Sequence, residues 1–348
     1  MVNALAVAAV AFKLFGSAGA ESQLTPANPA SPLLGGNRGA VTSQTNSADA
    51  VVFLDASPES RKWKVHLKLR ADASDRTSDS GSVGEAFVQF SPAPWLDVTA
   101  GRVIEKWGTG YAWNPTAFIG PRKNPSDPGD RRSAYRGLDM VRADALIRGT
   151  SVSVYALEGG TVAARVYRLV AGTDVSLHLT RDRQGVSLSR VFGDALELHG
   201  EVSQRHALAG GQYTFRNNVN VVLEVYHGGD GLSAAEWRDF RDRVDVARID
   251  KARGGSDLLA MNREYVPLRM GRNYGFARLY RPGFLDGEVI AVVSLRDGSA
   301  LARLTLSRKL RPNLGAYVID TEFPGRRDSE MSYIQVRRIV TAGVRLYF

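Results

Sequence analysis

The chain has 348 residues, no cysteine, 44% hydrophobic content and a mean hydropathy of −0.19, so it can cover a large buried or lipid-facing surface without disulfide help. Its longest apolar run, residues 4–15, is interrupted by Lys13 and falls short of the ~18 residues a spanning helix needs, which excludes a helical membrane protein. The net charge of +9 is dispersed into pairs such as Arg131-Arg132, Arg326-Arg327 and Arg337-Arg338, with no zinc-finger spacing and no RNP-like aromatic motif, so nucleic acid is not expected as a partner.

In chain order, residues 1–32 read as an N-terminal lead. The apolar run is followed by Ala18-Gly19-Ala20 ahead of Glu21, the Ala-x-Ala pattern of a signal-peptidase site. No basic residue precedes the run and Lys13 sits inside it, so a mis-assigned start or a plain amphipathic segment fits as well. A single β domain is expected over 33–348, with residues 35–43 as its first strand. Segment 63–72 then alternates at period two, with Trp63, Val65, Leu67, Leu69 and Ala71 on one face and Lys64, His66, Lys68, Arg70 and Asp72 on the other. Segments 141–148, 175–180, 196–203, 304–309 and 340–348 repeat the pattern.

Alternation alone fits a half-buried sandwich or a lipid-facing barrel. Three features favour the barrel. The polar face mixes both charge signs with His and Tyr, the strands run to roughly 9–12 residues, and tight and long connections alternate in phase. Tight turns fall at 92–94, 148–150, 171–174, 193–195, 216–218 and 311–313; long connections fall at 73–81, 106–136, 228–268 and 324–332. The expected fold is therefore an all-β antiparallel transmembrane barrel of about 18 strands, with 16 the alternative. One loop helix is expected over 233–251, where Trp237, Phe240, Val244 and Ile249 recur at near-helical spacing.

The C-terminal Val344-Arg345-Leu346-Tyr347-Phe348 resembles the closing strand of Gram-negative outer-membrane proteins. Residues 101–115, Gly-Arg-Val-Ile-Glu-Lys-Trp-Gly-Thr-Gly-Tyr-Ala-Trp-Asn-Pro, and residues 209–215, Ala-Gly-Gly-Gln-Tyr-Thr-Phe, are similar to segments of porin-like outer-membrane barrels distantly related to alginate-export barrels. The resemblance implies outer-membrane location, contact with lipid and lipopolysaccharide, and recognition of the strand ending at Phe348 by the assembly machinery. No cofactor and no metal is expected, since the sequence holds no metal-ligand cluster or phosphate loop.

Segment 105–136, rich in Gly, Pro, Asn and aromatics, reads as an ordered loop that folds inward. Gly108 and Gly110 allow tight turns, and Arg102, Glu105, Trp107, Tyr111, Trp113, Asn114, Arg131 and Arg132 are the candidate constriction or substrate-binding residues. An extracellular cap or interface girdle is the competing reading of the aromatics. Arg102 falls on the lipid-facing phase, so a bulge at Gly101 is expected. The phase aims Lys64, Lys68, Arg70, Arg142, Arg148, Arg165, Arg303, Lys309, Arg337 and Arg345 at the lumen, opposed by Glu85, Asp97, Asp144, Glu197, Glu201 and Glu224. Such a lattice either biases a pore toward anions or forms a salt-bridged plug.

An enzyme is not expected. His66, His178 and His199 lie near Ser176 and Ser203 on inward faces, but no nucleophile elbow, metal-ligand cluster or phosphate loop occurs. The leading expectation is a porin passing a polar solute or oligosaccharide, with an anionic bias. The alternatives are a barrel docking a periplasmic lipid or polysaccharide machine and, more remotely, a barrel hydrolase.

Overall fold

A computed structural model describes residues 10–34, 42–58, 62–252 and 256–348. Eighteen strands follow one another: β1 (Val10–Thr25), β2 (Ser43–Pro58), β3 (Trp63–Ser74), β4 (Ser80–Ala93), β5 (Leu96–Val103), β6 (Leu138–Ile147), β7 (Thr150–Leu157), β8 (Val162–Val170) and β9 (Thr173–Thr180) form the first half. The second half comprises β10 (Gln184–Phe192), β11 (Leu196–Ser203), β12 (His206–Thr214), β13 (Asn220–Gly228), β14 (Asn273–Arg281), β15 (Asp286–Ser294), β16 (Ala300–Arg311), β17 (Leu314–Glu322) and β18 (Arg338–Tyr347). Each pairs antiparallel with its sequence neighbours, and β1 pairs β18 from Ser17↔Tyr347 to Leu24↔Val340, so the sheet closes and has no free edge.

Period-two alternation determines which side of the wall each residue meets. Leu146, Val154, Leu169, Leu198, Leu223, Leu304 and Val344 are exposed on the outer face, while Lys68, Thr99, His178, Glu201, Glu224, Arg303 and Arg345 are buried on the inner one. The outer face offers hydrocarbon contact. The inner face is polar and needs water or partners.

The expected lead is instead a barrel strand over residues 10–25, and the domain does not begin at 33. In β1 the alternation is masked because small residues occupy both faces. Phe12 and Leu14 are exposed outside, whereas Glu21 reaches Arg131, Arg132 and Tyr317 inside. β1 pairs β2 along its whole length, from Val10↔Pro58 to Thr25↔Ser43. Of the expected first strand, residues 35–41 lie outside the described residues, and Ser43 opens β2.

The hairpin turns explain two further departures. Arg148-Gly149 has φ of 50° and 77°, and Ala171-Gly172 has 49° and 77°, the paired positive angles of type I′ turns whose twist matches the strands. Arg148 therefore stands in an exposed turn and not on the lumen wall. At Gly101 the pairing runs unbroken through Phe87↔Gly101↔Met140 and Ala86↔Arg102↔Asp139, so the expected bulge is absent. Gly101 absorbs the local twist with φ of +126°, where a Cβ would collide with the Ala86 carbonyl. Arg102 stays on the outer face, paired with its cross-strand neighbour Asp139.

Between β13 and β14 the chain forms α1 (Ala234–Ala252) and α2 (Asp257–Glu264). Ser233 and Glu236 form a reciprocal capping box that opens α1: Glu236 accepts the Ser233 amide at 2.7 Å and Ser233 accepts the Glu236 amide at 3.2 Å. Trp237, Phe240, Val244 and Ala247 are buried, whereas Ile249, expected in the same stripe, is exposed. The buried face joins Leu33, Tyr265, Met331 and Tyr333 in a core continuous with lumen-facing Leu208, Val222, Tyr274, Phe276, Ile290 and Leu301. This dry cap covers the β12–β16 side of the mouth.

Candidate constriction and lumen charge lattice

Residues 104–137, between β5 and β6, fold into the lumen and circle its wall. Glu105, buried, meets Arg142 of β6, which also reaches Asp144 at 2.6 Å. Trp107, 1% exposed, packs edge-on to Tyr155 of β7 and lies 4.9 Å from the His178 ring of β9. Gly108 turns the chain at φ +94° directly against the Glu201 carboxylate of β11, leaving no room for a Cβ.

Two wall carboxylates then hold the loop backbone. Glu201 accepts the amides of Thr109 at 2.6 Å, Gly110 at 2.7 Å and Thr116 at 3.0 Å, and the Thr116 hydroxyl at 2.8 Å. Glu224 of β13 accepts the amides of Tyr111 and of Ala112, the latter at 2.8 Å, and lies 2.8 Å from His199 Nε2. Carboxylates accepting several amides make strong, charge-assisted bonds. Trp113 stacks on Tyr226 at 4.9 Å and packs against Phe276, which joins the loop to the cap core. Asn114 braces the loop from within, accepting the Lys123 amide at 2.9 Å and donating to the Pro121 carbonyl at 3.1 Å.

The return half meets the opposite wall. Arg303 of β16 donates to the Ser126 carbonyl and pairs with Asp127 at 3.3 Å. Arg131 reaches Glu21 at 3.2 Å, and Arg132 reaches Glu21 and Asp49, each at 3.2 Å. Arg345 donates to Asp49 at 2.9 Å, and Arg70 donates to the Arg132 carbonyl and to Asp72. Lys68 donates to the Tyr135 carbonyl at 3.1 Å. With Arg131 also over the Tyr317 ring of β17, the loop touches β1, β2, β3, β6, β7, β9, β11, β13, β14, β16 and β17, a diaphragm across the barrel.

Of the other residues expected at the lumen, Lys64 pairs with Asp55 at 3.5 Å, Arg165 lies near Ser176 at 3.5 Å, and Glu197 accepts the Ser189 hydroxyl at 2.7 Å. Lys309 keeps the inward phase but is exposed at the periplasmic end of β16. Arg337 lies in a bend before β18, exposed, its amide donating to the Pro26 carbonyl at 2.9 Å; the strand starts at Arg338, two residues ahead of the expected 340, and still leaves Arg337 outside it. Sequence reasoning missed Glu21, which sat in the expected lead, Asp49, which sat between the expected first strand and segment 63–72, and the loop lysines Lys106 and Lys123. The phase that Glu21 shares with Lys13, Gln23 and Thr25 was the available signal for it.

The acidic wall groups Glu201 and Glu224 are occupied by loop amides and form no direct ion pair with a lysine, although both lie within Coulombic reach of Lys123. Among the described residues, no carboxylate lies within 4 Å of the Lys68, Lys106 or Lys123 ammonium. Burial holds the Lys123 ammonium below its usual range against the pull of Glu224 and Glu201, with Lys106 pushing the same way as burial. No group of three or more His, Cys, Asp or Glu side chains converges among the described residues as a metal site would.

A closed barrel with an apolar outer belt, a polar lumen and an in-folded loop is the architecture of an outer-membrane porin. Solved structures of that class share the fold across nearly the whole chain. They include Pseudomonas aeruginosa OccK11 (OpdR), at TM-score 0.60 and 11% identity over 96% of this chain and 95% of that one, and Acinetobacter baumannii OccAB4, at 0.58 and 6% over 97% and 98%. A mutant Rh. blastica porin matches at 0.50 and 12%, covering 97% and 100%. No protein-family model and no curated protein matches the chain. Kinship to alginate-export barrels rests on the sequence motifs alone.

Proposed function

We propose that this protein is an outer-membrane channel that passes small polar solutes through a diaphragm formed by residues 104–137, with a modest preference for anions. The carrying observation is the circuit of that loop around the inner wall, locked by Glu201 and Glu224 on one side and by Glu21 and Asp49 on the other. The anion preference follows from which charges remain free. Carboxylates are taken up by loop amides and arginines, whereas Lys106 is exposed to the lumen and Lys68 and Lys123 donate only to carbonyls. The outward belt fits contact with lipid and lipopolysaccharide. The terminal Phe348 amide and carbonyl pair with Gly16 at 3.1 and 2.8 Å, presenting the last aromatic at the β1–β18 seam for the assembly machinery.

Planar-bilayer recording tests the reading. The expected result is small single-channel steps whose reversal potential in a KCl gradient lies on the chloride side, enlarged several-fold when residues 109–132 are replaced by a short linker. Absence of steps from both proteins would overturn it in favour of a docking barrel that conducts nothing alone.

A further inference from the structure

Above the diaphragm, on the extracellular side, lies a cavity of about 470 Å³. Trp113, Tyr226 and Phe118 supply its apolar lining. Its cations come from four separate segments: Arg122 and Lys123 from the in-folded loop, Arg183 from the β9–β10 turn, Arg205 from the β11–β12 turn and Arg269 from the cap. Among the described residues the single lining carboxylate, Asp230, is already engaged by Arg205 at 3.0 Å and by His206 Nε2 at 3.1 Å.

Five cations against one carboxylate give the lining a formal charge of +4, which Asp182, 3.8 Å from Arg183, lowers at one edge. Among the described residues no carboxylate lies within 4 Å of Arg122, Lys123 or Arg269. Arg122 and Arg269, from two different loops, both lie within Coulombic reach of the Tyr226 hydroxyl, and Arg122 also of His206. A concave, low-dielectric wall lined by one sign of charge concentrates counter-ions. One monoanion would leave most of this charge standing, whereas a dianion offers more neutralisation per site. Guanidinium forks bind phosphate oxygens in pairs, a geometry for which arginine is better suited than lysine.

We infer that this vestibule captures a phosphate-class dianion, inorganic phosphate or a phosphate monoester, before passage. Lys123 lines both the vestibule and the diaphragm, where its ammonium donates to the Gly110 carbonyl, so a captured anion is handed to the constriction by a group that belongs to both. Only this hand-off rests on the channel reading; capture itself does not.

The test is calorimetric titration of the full barrel in detergent at low ionic strength with sodium phosphate, glycerol phosphate, acetate and chloride. Saturable 1:1 binding of a phosphate is expected, weakened at least tenfold in Arg122→Gln/Arg269→Gln and unchanged in Arg148→Gln, with heat-modifiable gel migration reporting an intact barrel in each. Tighter inorganic phosphate assigns the free ion, and tighter glycerol phosphate assigns phosphorylated solutes. Acetate or chloride binding as tightly as either, or an affinity that the double variant leaves unmoved, overturns the inference. Phosphate binding without bilayer conductance would leave the vestibule standing and remove the channel reading; conductance without phosphate binding would do the reverse.

Discussion

The diaphragm is held most firmly at Glu201, and its replacement gives the sharpest test of the loop's role. In Glu201→Gln one oxygen survives as an acceptor, while the other becomes an amide that faces donors it cannot accept from. The native carboxylate serves Thr109 and Gly110 through Oε1 and the Thr116 amide and hydroxyl through Oε2; a glutamine NH2 turned to Thr116 can still donate to its hydroxyl and loses one bond, whereas turned to Thr109 and Gly110 it loses two. Hydrogen bonds to a charged acceptor are each worth roughly 1.5–3 kcal/mol, so the loop loses about 1.5–6 kcal/mol of anchoring. The barrel ladder, formed by other groups, stays closed. The expected outcome is larger and noisier single-channel steps, with new protease cleavage within 109–132 and unchanged heat-modifiable migration. Conductance and protease resistance equal to the parent protein would show that the loop is held elsewhere and that the amide–carboxylate contacts are incidental.

Further expectations follow from individual contacts. Trp113→Ala removes a side chain packed on Tyr226 and Phe276, a loss of roughly 3–5 kcal/mol for a buried aromatic, and should raise open-channel current noise while gel migration stays unchanged. Arg148→Asn relieves a left-handed arginine in an exposed turn and should stabilise the refolded barrel by about 1 kcal/mol against denaturant without altering ion selectivity; a selectivity change would place Arg148 in the conduction path after all. In the cap, Glu330 accepts the Leu268 amide at 2.8 Å and the Tyr274 hydroxyl at 2.8 and 2.9 Å, with Arg296 at 3.6 Å. Burial pushes its pKa from 4.5 up to about 7, opposed by the Tyr274 bond and by Arg296 and reinforced by Asp297. Since the folded value lies above the unfolded one, the cap has its full stability below pH 4.5 and loses roughly 3 kcal/mol as pH rises through 7. Amide exchange over 257–272, corrected for its intrinsic pH dependence, should quicken between about pH 5 and 8 and do so far less in Glu330→Gln; equal profiles would remove Glu330 as the cause.

Much of this was legible before any coordinates, because a barrel wall is a period-two object: Trp63–Ser74 and Arg338–Tyr347 display their inner and outer faces directly in the sequence. The lead was misread because β1 places alanines and glycines where lipid-facing leucines were awaited, so the small residues imitated a cleavage site. Alternation also gives phase without depth, and so it assigned Arg148 and Arg337 to the lumen although both lie beyond the strand ends. The loop residues Glu105, Trp107, Trp113 and Arg132 could be named from composition. Their wall partners could not, because contacts such as Thr109 to Glu201 or Arg132 to Asp49 join distant strands that no local pattern connects.

The order of residues along the loop nevertheless matches the polarity of the wall it circles. Its aromatics Tyr111 and Trp113 pass the side roofed by the dry cap, where Phe276, Tyr274 and Leu208 offer apolar contact, while Trp107 packs beside Tyr155 in a separate apolar cluster. Its arginine pair, Arg131-Arg132, passes the side where Glu21 and Asp49 stand. Were the loop to lie the other way round, Tyr111 and Trp113 would leave their apolar partners and Glu21 would lose both its arginines, a buried charge left uncompensated at a cost of several kcal/mol, while Asp49 would keep only Arg345 and Arg70. The wall therefore selects one direction of travel for the loop. That direction carries Lys106 and Lys123 on either side of the Glu201 anchor, within Coulombic reach of one another, so the same pattern that fixes the diaphragm also decides which charges a passing solute meets.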